Sequence, residues 1–174
     1  MQRIIAGEYK GRLLSNMPGN STRPTQARVR KSMLQILEPL EGKKVLDLFS
    51  GSGILGLEAL SRGASKLVSV ESNKQVFALS SKNISEICKD HSRFEILCMD
   101  AFYYLEATKE KFDIIISDPP YRKYDYMDVF NLASRILGKN GIFCMEMKKQ
   151  HVDLDIFKVK TYGSTQIILW RRND

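Results

Sequence analysis

Five short apolar runs, at residues 44–49, 66–71, 93–98, 112–117 and 141–147, recur along this chain with helix-patterned segments between them. No other feature constrains the fold as strongly. Runs this short and this rich in Val, Ile and Leu read as strands buried on both faces. Strands that alternate with helices assemble as a parallel sheet with right-handed crossovers. The predicted class is therefore α/β. Segment 54–62, ILGLEALSR, has helical spacing with Leu55, Ala59 and Leu60 on one side, and residues 73–89 and 124–138 are the clearest later helices. In the tail, Gly163-Ser164 separates two strand-like runs, predicting a hairpin that adds an antiparallel strand.

Two of the runs end in loops with chemical content. FDIIIS is followed by Asp118-Pro119-Pro120-Tyr121. A carboxylate, two prolines and an aromatic make a stiff polar lip suited to holding a flat, amine-bearing base. The Asp118 carboxylate and the Pro119 carbonyl can both accept N–H bonds from an exocyclic amine, turning its delocalised lone pair toward an electrophile. The prolines fix φ, and Tyr121 offers a stacking surface. A plain strand-to-loop turn reads equally well from DPPY alone.

The other loop lies in KKVLDLFSGSGILGLEALSRG, residues 43–63. A strand ending at Phe49 meets a tight turn, Ser50-Gly51-Ser52-Gly53, and then a helix. Glycines let backbone approach a ligand, and helix N-terminal amides point at it. Glu71, twenty residues after Gly51, ends the next strand, where a doubly wound sheet holds ribose hydroxyls. Asp47 lies inside the first strand. It would repel a pyrophosphate but suits a cationic, amino-acid-bearing ligand; it also reads as a buried turn carboxylate. Glu71 could be a solvated charge. Asp100, after FEILCM, is placed either to read an adenine amine or to N-cap the following helix, and the two roles are compatible.

Taken in order and spacing, VLDLFSGSGILGLEALSRG, Glu71, Asp100 and DPPY resemble the class I S-adenosylmethionine-dependent methyltransferases that act on exocyclic amines. RIIAGEYKGRLL and RPTQARVRKSMLQIL at the N-terminus narrow the resemblance to the RsmD family, over essentially the whole chain. The resemblance implies a Rossmann-like, seven-stranded, mostly parallel sheet with helices on both faces, an antiparallel C-terminal hairpin and a small N-terminal β-hairpin extension. It implies S-adenosylmethionine as donor, held by Asp47, Phe49, Gly51, Ser52, Gly53, Glu71, Ser72, Asp100 and Ala101. Catalysis falls to Asp118, Pro119, Pro120 and Tyr121. The acceptor it implies is the 2-amino group of a guanine in 16S ribosomal RNA, within a largely assembled small subunit.

Charge points the same way. The chain carries +7, and residues 1–37 hold Arg3, Lys10, Arg12, Arg23, Arg28, Arg30 and Lys31 against Glu8 alone. Five of the seven are Arg, whose planar fork matches phosphate, so this segment is the expected RNA-binding surface. Residues 1–16 read as a hairpin with a basic rim. MPGNSTRPT is a connector, and Thr25 is the candidate N-cap of a helix to about Leu37 with a stripe of Val29, Met33, Ile36 and Leu37. Arg28 and Lys31 lie off that stripe.

At 174 residues, 43% hydrophobic and 27% charged, the chain is expected to form one methyltransferase domain, with 1–37 as the RNA extension and 43–174 as the catalytic core. No apolar run approaches membrane-spanning length and the N-terminus lacks a signal-peptide core, which predicts a cytoplasmic protein; nothing in the sequence demands a dimer, and a monomer is expected. Cys88, Cys98 and Cys144 form no CxxC pair, arguing against disulfides and a zinc site; they read as buried small hydrophobes. His91 and His151 read as surface residues. Tyr124 and Tyr126 suit either a loop over the base or helix packing. Three other readings stay open: a DNA adenine-amine or protein-amide methyltransferase, a non-catalytic RNA-binding assembly factor, and a nicotinamide enzyme.

Overall fold

The computed structural model describes residues 2–16, 24–120 and 123–173, with Pro24 and Thr25 described in backbone only. Tyr121, Arg23 and most of the 17–25 connector lie outside the described residues. The elements run β1 (Gln2–Arg3), β2 (Leu13–Leu14), α1 (Pro24–Leu37), β3 (Lys44–Leu48), α2 (Ile54–Ser61), β4 (Lys66–Glu71) and α3 (Lys74–Ile87). They continue with β5 (Phe94–Cys98), α4 (Ala101–Ala107), β6 (Phe112–Ser117), α5 (Tyr126–Ile136), β7 (Leu137–Lys148), β8 (Lys158–Tyr162) and β9 (Thr165–Arg171).

Seven strands form one sheet in the order β5-β4-β3-β6-β7-β9-β8. The pairs through β7 are parallel; β9 runs antiparallel to both β7 and β8. The strand order reverses between β4-β3 and β3-β6, so β3 and β6 flank the switch point, where loops diverge and leave a crevice at the strands' C-terminal ends. Both loops singled out in the sequence open there.

Each face of the sheet has its own core, assigned by period-two alternation along the strands. Val45, Leu67, Ile114, Ile116 and Cys144 pack under α1, α2 and α3. Leu46, Leu48, Val68, Ile115, Phe143 and Met145 pack under α4 and α5, where Phe130 meets both Phe143 and Trp170 edge-on.

The N-terminal extension belongs to the first of these cores. Ile4, Tyr9 and Leu14 are buried with α1 and α2. The Ile5 amide donates to Glu58 Oε1 at 2.7 Å, and the Tyr9 amide to Ser61 Oγ at 2.8 Å. Glu58 Oε2 lies 3.5 Å from Arg62 Nε. The hairpin therefore supplies the outer cover of α2. That explains why α2 is buried nearly all round rather than on the single side expected, with Leu57, Glu58 and Ser61 inside and Leu55 the partly exposed residue.

Several boundaries differ from expectation for identifiable reasons. Helix α1 starts at Pro24, so Thr25 lies within its first turn; proline's fixed φ favours the first helical position. Helix α5 stops at Ile136 because β7 begins at Leu137. Cys98 is exposed, since β5 is an edge strand. His91 and His151 are exposed. Among the described residues, no helix is long and apolar enough to cross a membrane.

Candidate active site

The sheet's alternation brings four carboxylates to one face at the strands' C-terminal end. Asp47 on β3 shares the face of Val45, and Glu71 on β4 that of Leu67. Register then aligns β3, β6 and β7: Leu48 pairs with Ser117, and Ser117 with Met145. One residue further, Asp118 and Glu146 come level, on the same face as Asp47. Asp118, Glu146, Phe49, Ser50, Gly51 and Ser52 line a cavity of about 190 Å³, and Gln2, Gln26, Arg30 and Met33 close it from the N-terminal segment.

The acidic end is electrostatically tense. Asp47 is fully buried; Oδ2 accepts from the Gly56 amide at 3.0 Å, while Oδ1 has no hydrogen-bond partner among the described residues. Burial pushes its carboxyl up to about 7; the Gly56 amide pulls down and Glu71 adds to the rise. The Asp118 side chain remains open to solvent, yet its depth in the cavity, with Glu146 and then Asp47 nearby, pushes it up to about 8. Carboxyls that raise one another in this way favour a cationic ligand, because a positive charge among them stabilises their ionised forms.

The glycine loop has the conformation its sequence requires. Phe49, Gly51 and Gly53 all have positive φ, at 59°, 55° and 82°. Gly53 has no room for a side chain, since a Cβ there would sit 2.8 Å from Ser80 Oγ. At Gly51 nothing lies within 4 Å of that position, leaving the backbone open to a ligand. Glu71 braces the loop: Oε2 accepts from the Gly51 amide at 3.1 Å and Oε1 from the Asn73 amide at 2.8 Å. Ser72 is exposed just beyond it.

Asp100 caps α4, with Oδ1 accepting from the Phe102 and Tyr103 amides at 2.9 and 3.2 Å. Its Oδ2 takes the Tyr124 hydroxyl at 3.4 Å, and Ala101 is buried in the first turn behind it. Tyr124 stacks on Phe102 and tilts against Phe49, forming an aromatic wall between the Asp100 and glycine-loop ends. Pro119 is buried beside Tyr124 and Tyr126, and Pro120 is exposed.

The basic residues divide. Arg3, Lys10, Arg12, Arg28 and Lys31 are exposed. Arg30, counted with them in the sequence, is 9% exposed and lines the cavity instead. The reason is helical spacing: Arg30, Met33, Leu34 and Leu37 fall at i, i+3, i+4 and i+7, and the last three are core residues. Glu146, Gln2 and Gln26 were not singled out at all. For Glu146 the signal was present, as a carboxylate within the apolar strand IFCMEM.

This crevice, at the switch point of a 3-2-1-4-5-type parallel sheet closed by an antiparallel hairpin, defines a Rossmann-like class I methyltransferase fold. The profile of the family described as "Conserved hypothetical protein 95", the RsmD family, matches residues 2–171, and the chain belongs to that family. It is 34% identical over 153 residues to "Ribosomal RNA small subunit methyltransferase D" of Buchnera aphidicola, covering 84% of this chain and 78% of that one. To the protein of that name from Haemophilus influenzae it is 33% identical over 78% of this chain and 68% of the other. The solved structure of "Putative methyltransferase yhhF" from Escherichia coli superposes with a TM-score of 0.88 at 28% identity, covering 99% and 98% of the two chains.

Proposed function

We propose that this protein transfers a methyl group from S-adenosylmethionine to the exocyclic 2-amino group of a guanine in 16S ribosomal RNA. The observation that carries the reading is the convergence of Asp118 on the glycine loop within one cavity that Glu146 also lines. Relatives named as small-subunit ribosomal RNA methyltransferases support the substrate class.

The residues fit the donor. Bound S-adenosylmethionine supplies an electrophilic methyl group on a sulfonium. Asp47, Asp118 and Glu146 offer the negative surroundings that a sulfonium and an ammonium require. The open backbone at Gly51 permits close approach beside Phe49 and Ser52, with Gly53 shaping the turn. Glu71 stands where ribose hydroxyls bind, so the ligand would share the carboxylate with the Gly51 and Asn73 amides. Asp100, with its cap carried by Oδ1, would share Oδ2 between the Tyr124 hydroxyl and an adenine amine near Ser72 and Ala101.

On the acceptor side, Asp118 and the Pro119 carbonyl accept the amine's N–H bonds and direct its lone pair out of the ring plane. Tyr121 stacks on the base, and Pro120 stiffens the lip between them. The proton released on transfer passes to water or to Asp118, whose raised pKa suits it to receive one. Because this lip lies beside the cavity, the guanine must be unstacked, in a loop or flipped. Arg3, Lys10, Arg12, Arg28 and Lys31, with Arg23, hold the RNA backbone. A small enzyme with few base-reading elements takes its specificity from a preformed surface, so the assembled subunit is the substrate and the protein works as a cytoplasmic monomer.

The test is methyl transfer from labelled S-adenosylmethionine to unmodified small subunits, naked ribosomal RNA and duplex DNA in parallel, followed by nucleoside analysis. Label in N2-methylguanosine, faster from subunits, is expected. Label in DNA adenine would refute the RNA assignment, and equal rates on naked RNA would refute the particle.

A further inference from the structure

The acceptor lip has a neighbour on the next strand. Ser117 pairs with Met145, so one residue further Asp118 and Glu146 stand level, on the same face of the sheet. Adjacent strands lie about 4.8 Å apart, which sets the two carboxylates side by side at the scale of a base edge. Both line the cavity beside the glycine loop. Glu146 is half-buried there, and after burial itself it is the first charge that raises the Asp118 carboxyl. Its neighbours along β7, Cys144, Met145 and Met147, are core residues. A carboxylate in such a run is costly to keep unless a polar group meets it. The hollow it faces is shaped for polar ligands: Arg30 Nε and Ser50 Oγ also line it, buried and without hydrogen-bond partners among the described residues.

An ionised carboxylate only accepts hydrogen bonds. The lip already offers two acceptors, Asp118 and the Pro119 carbonyl, one for each hydrogen of an exocyclic amine. Glu146 adds a third beside Asp118. The two amino purines differ at the ring position next to the amine. Guanine carries a donor there, the N1–H beside its 2-amino group. Adenine carries an acceptor, the bare N1 beside its 6-amino group. Three acceptors match the three N–H bonds of guanine and set a carboxylate against the N1 lone pair of adenine. We infer that Glu146 is the residue that selects the base, accepting the N1–H of guanine while Asp118 and the Pro119 carbonyl take the 2-amino hydrogens. The inference rests on the acceptor assignment above and names the group that distinguishes the purines, which the lip alone does not, since either amine fits it. Two acceptors facing each other out of water cost more than one missing bond, because neither lone pair recovers the partner it gave up. Glu146 makes and breaks no covalent bond. The methyl group leaves sulfur for the 2-amino nitrogen, the amine's proton goes to water or Asp118, and Glu146 holds the edge in register.

The test begins by locating the methylated guanine in subunits treated with the wild type. Small subunits are then assembled on RNA carrying 2,6-diaminopurine at that position, a base that keeps the 2-amino group but presents a bare N1. The wild type should methylate it at least about a hundredfold more slowly than guanine, read as kcat/KM. Glu146→Gln keeps the side chain's size and can turn its amide to donate to N1. It should be about tenfold slower on guanine, the step from a charged to a neutral acceptor, and faster than the wild type on diaminopurine, so that the preference shrinks to a few-fold. Melting temperatures report whether the variant is folded, and the wild-type comparison stands without it. A wild type that methylates both bases equally overturns the inference. So does a folded Glu146→Gln that keeps the full preference; if calorimetry also shows it binding S-adenosylhomocysteine at least about tenfold more weakly, Glu146 belongs to the donor. A wild type that labels no guanine in any ribosomal substrate would sink the acceptor assignment itself, and this inference with it.

Discussion

Replacing Asp47 by Asn separates the electrostatics of this site from its shape. Asn is isosteric and retains an oxygen for the Gly56 amide, so the start of α2 stays capped. The titration is what disappears. Asp47 ionises near 3.8 in the unfolded chain and at about 7 in the fold. A folded pKa raised above the unfolded one contributes stability that is fully present below pH 3.8 and is lost as pH rises through 7. At about 1.36 kcal/mol per unit of displacement, the wild type loses about 2.5 kcal/mol between pH 5 and pH 8 through this group alone. The Asn variant loses none of it. It also relieves Asp118, which Asp47 raises, so the second carboxyl acts in the same direction.

The stability difference between Asp47→Asn and wild type should therefore move in the variant's favour by about 2.5 kcal/mol from pH 5 to pH 8, flattening above pH 7. An unpaired amide hydrogen in place of Oδ1 shifts the whole difference by a constant and leaves its slope alone. Urea unfolding of both proteins at each pH unit measures it, and the change is large against the marginal stability of such a domain. A difference that stays constant within about 0.5 kcal/mol across this range would mean that Asp47 titrates normally, and the account of a tense acidic end would fail.

Four further outcomes follow from the same geometry. Asp118→Asn should leave affinity for the neutral thioether S-adenosylhomocysteine within a few-fold yet lower kcat at saturating donor by about 10²–10³, the loss expected when one charge-stabilising group is removed; single-turnover methyl transfer checks it. Preference for S-adenosylmethionine over S-adenosylhomocysteine should grow between pH 6 and pH 8.5, because ionising Asp118 favours the sulfonium over the neutral thioether; competition binding across pH would expose a flat ratio. Arg28→Ala and Lys31→Ala should each weaken RNA binding and lower the dependence of log K on log salt by about 0.7–0.9, one phosphate's worth, whereas a surface unrelated to RNA would leave that slope unchanged. Gly53→Ala should cost about 1–3 kcal/mol, since it combines a φ of 82° with a Cβ 2.8 Å from Ser80 Oγ and 3.1 Å from Ile84; an unchanged melting temperature would contradict the packing there.

The parts of this molecule legible in its sequence are those governed by a single segment. The strands could be read because their period and length are local, and Asp118, Gly51, Gly53 and Glu71 because the loops holding them follow directly from those strands. Asp100 could be read as the N-cap of α4 because a helix cap is also a local device. What escaped depends on two segments meeting. Periodicity assigns a face to Arg30, that of Met33, Leu34 and Leu37, but a charged residue on such a stripe is conventionally read as solvated. Only the crossing of α1 over α2 shows that this face has a polar hollow to fill. Glu146 escaped for a related reason: its place beside Asp118 exists only once β6 and β7 are in register. The N-terminal hairpin reads as a basic rim because three of the four charges in residues 1–16 are positive. Yet Ile4, Tyr9 and Leu14 are the core's cover for α2, and Gln2 reaches the cavity, where its Oε1 accepts from Ser52 Oγ. The hairpin therefore shapes the donor pocket as well as presenting Arg3, Lys10 and Arg12 outward. One segment thus supplies both exposed basic residues and part of the pocket wall, and charge alone does not tell Arg30 from Arg28 and Lys31.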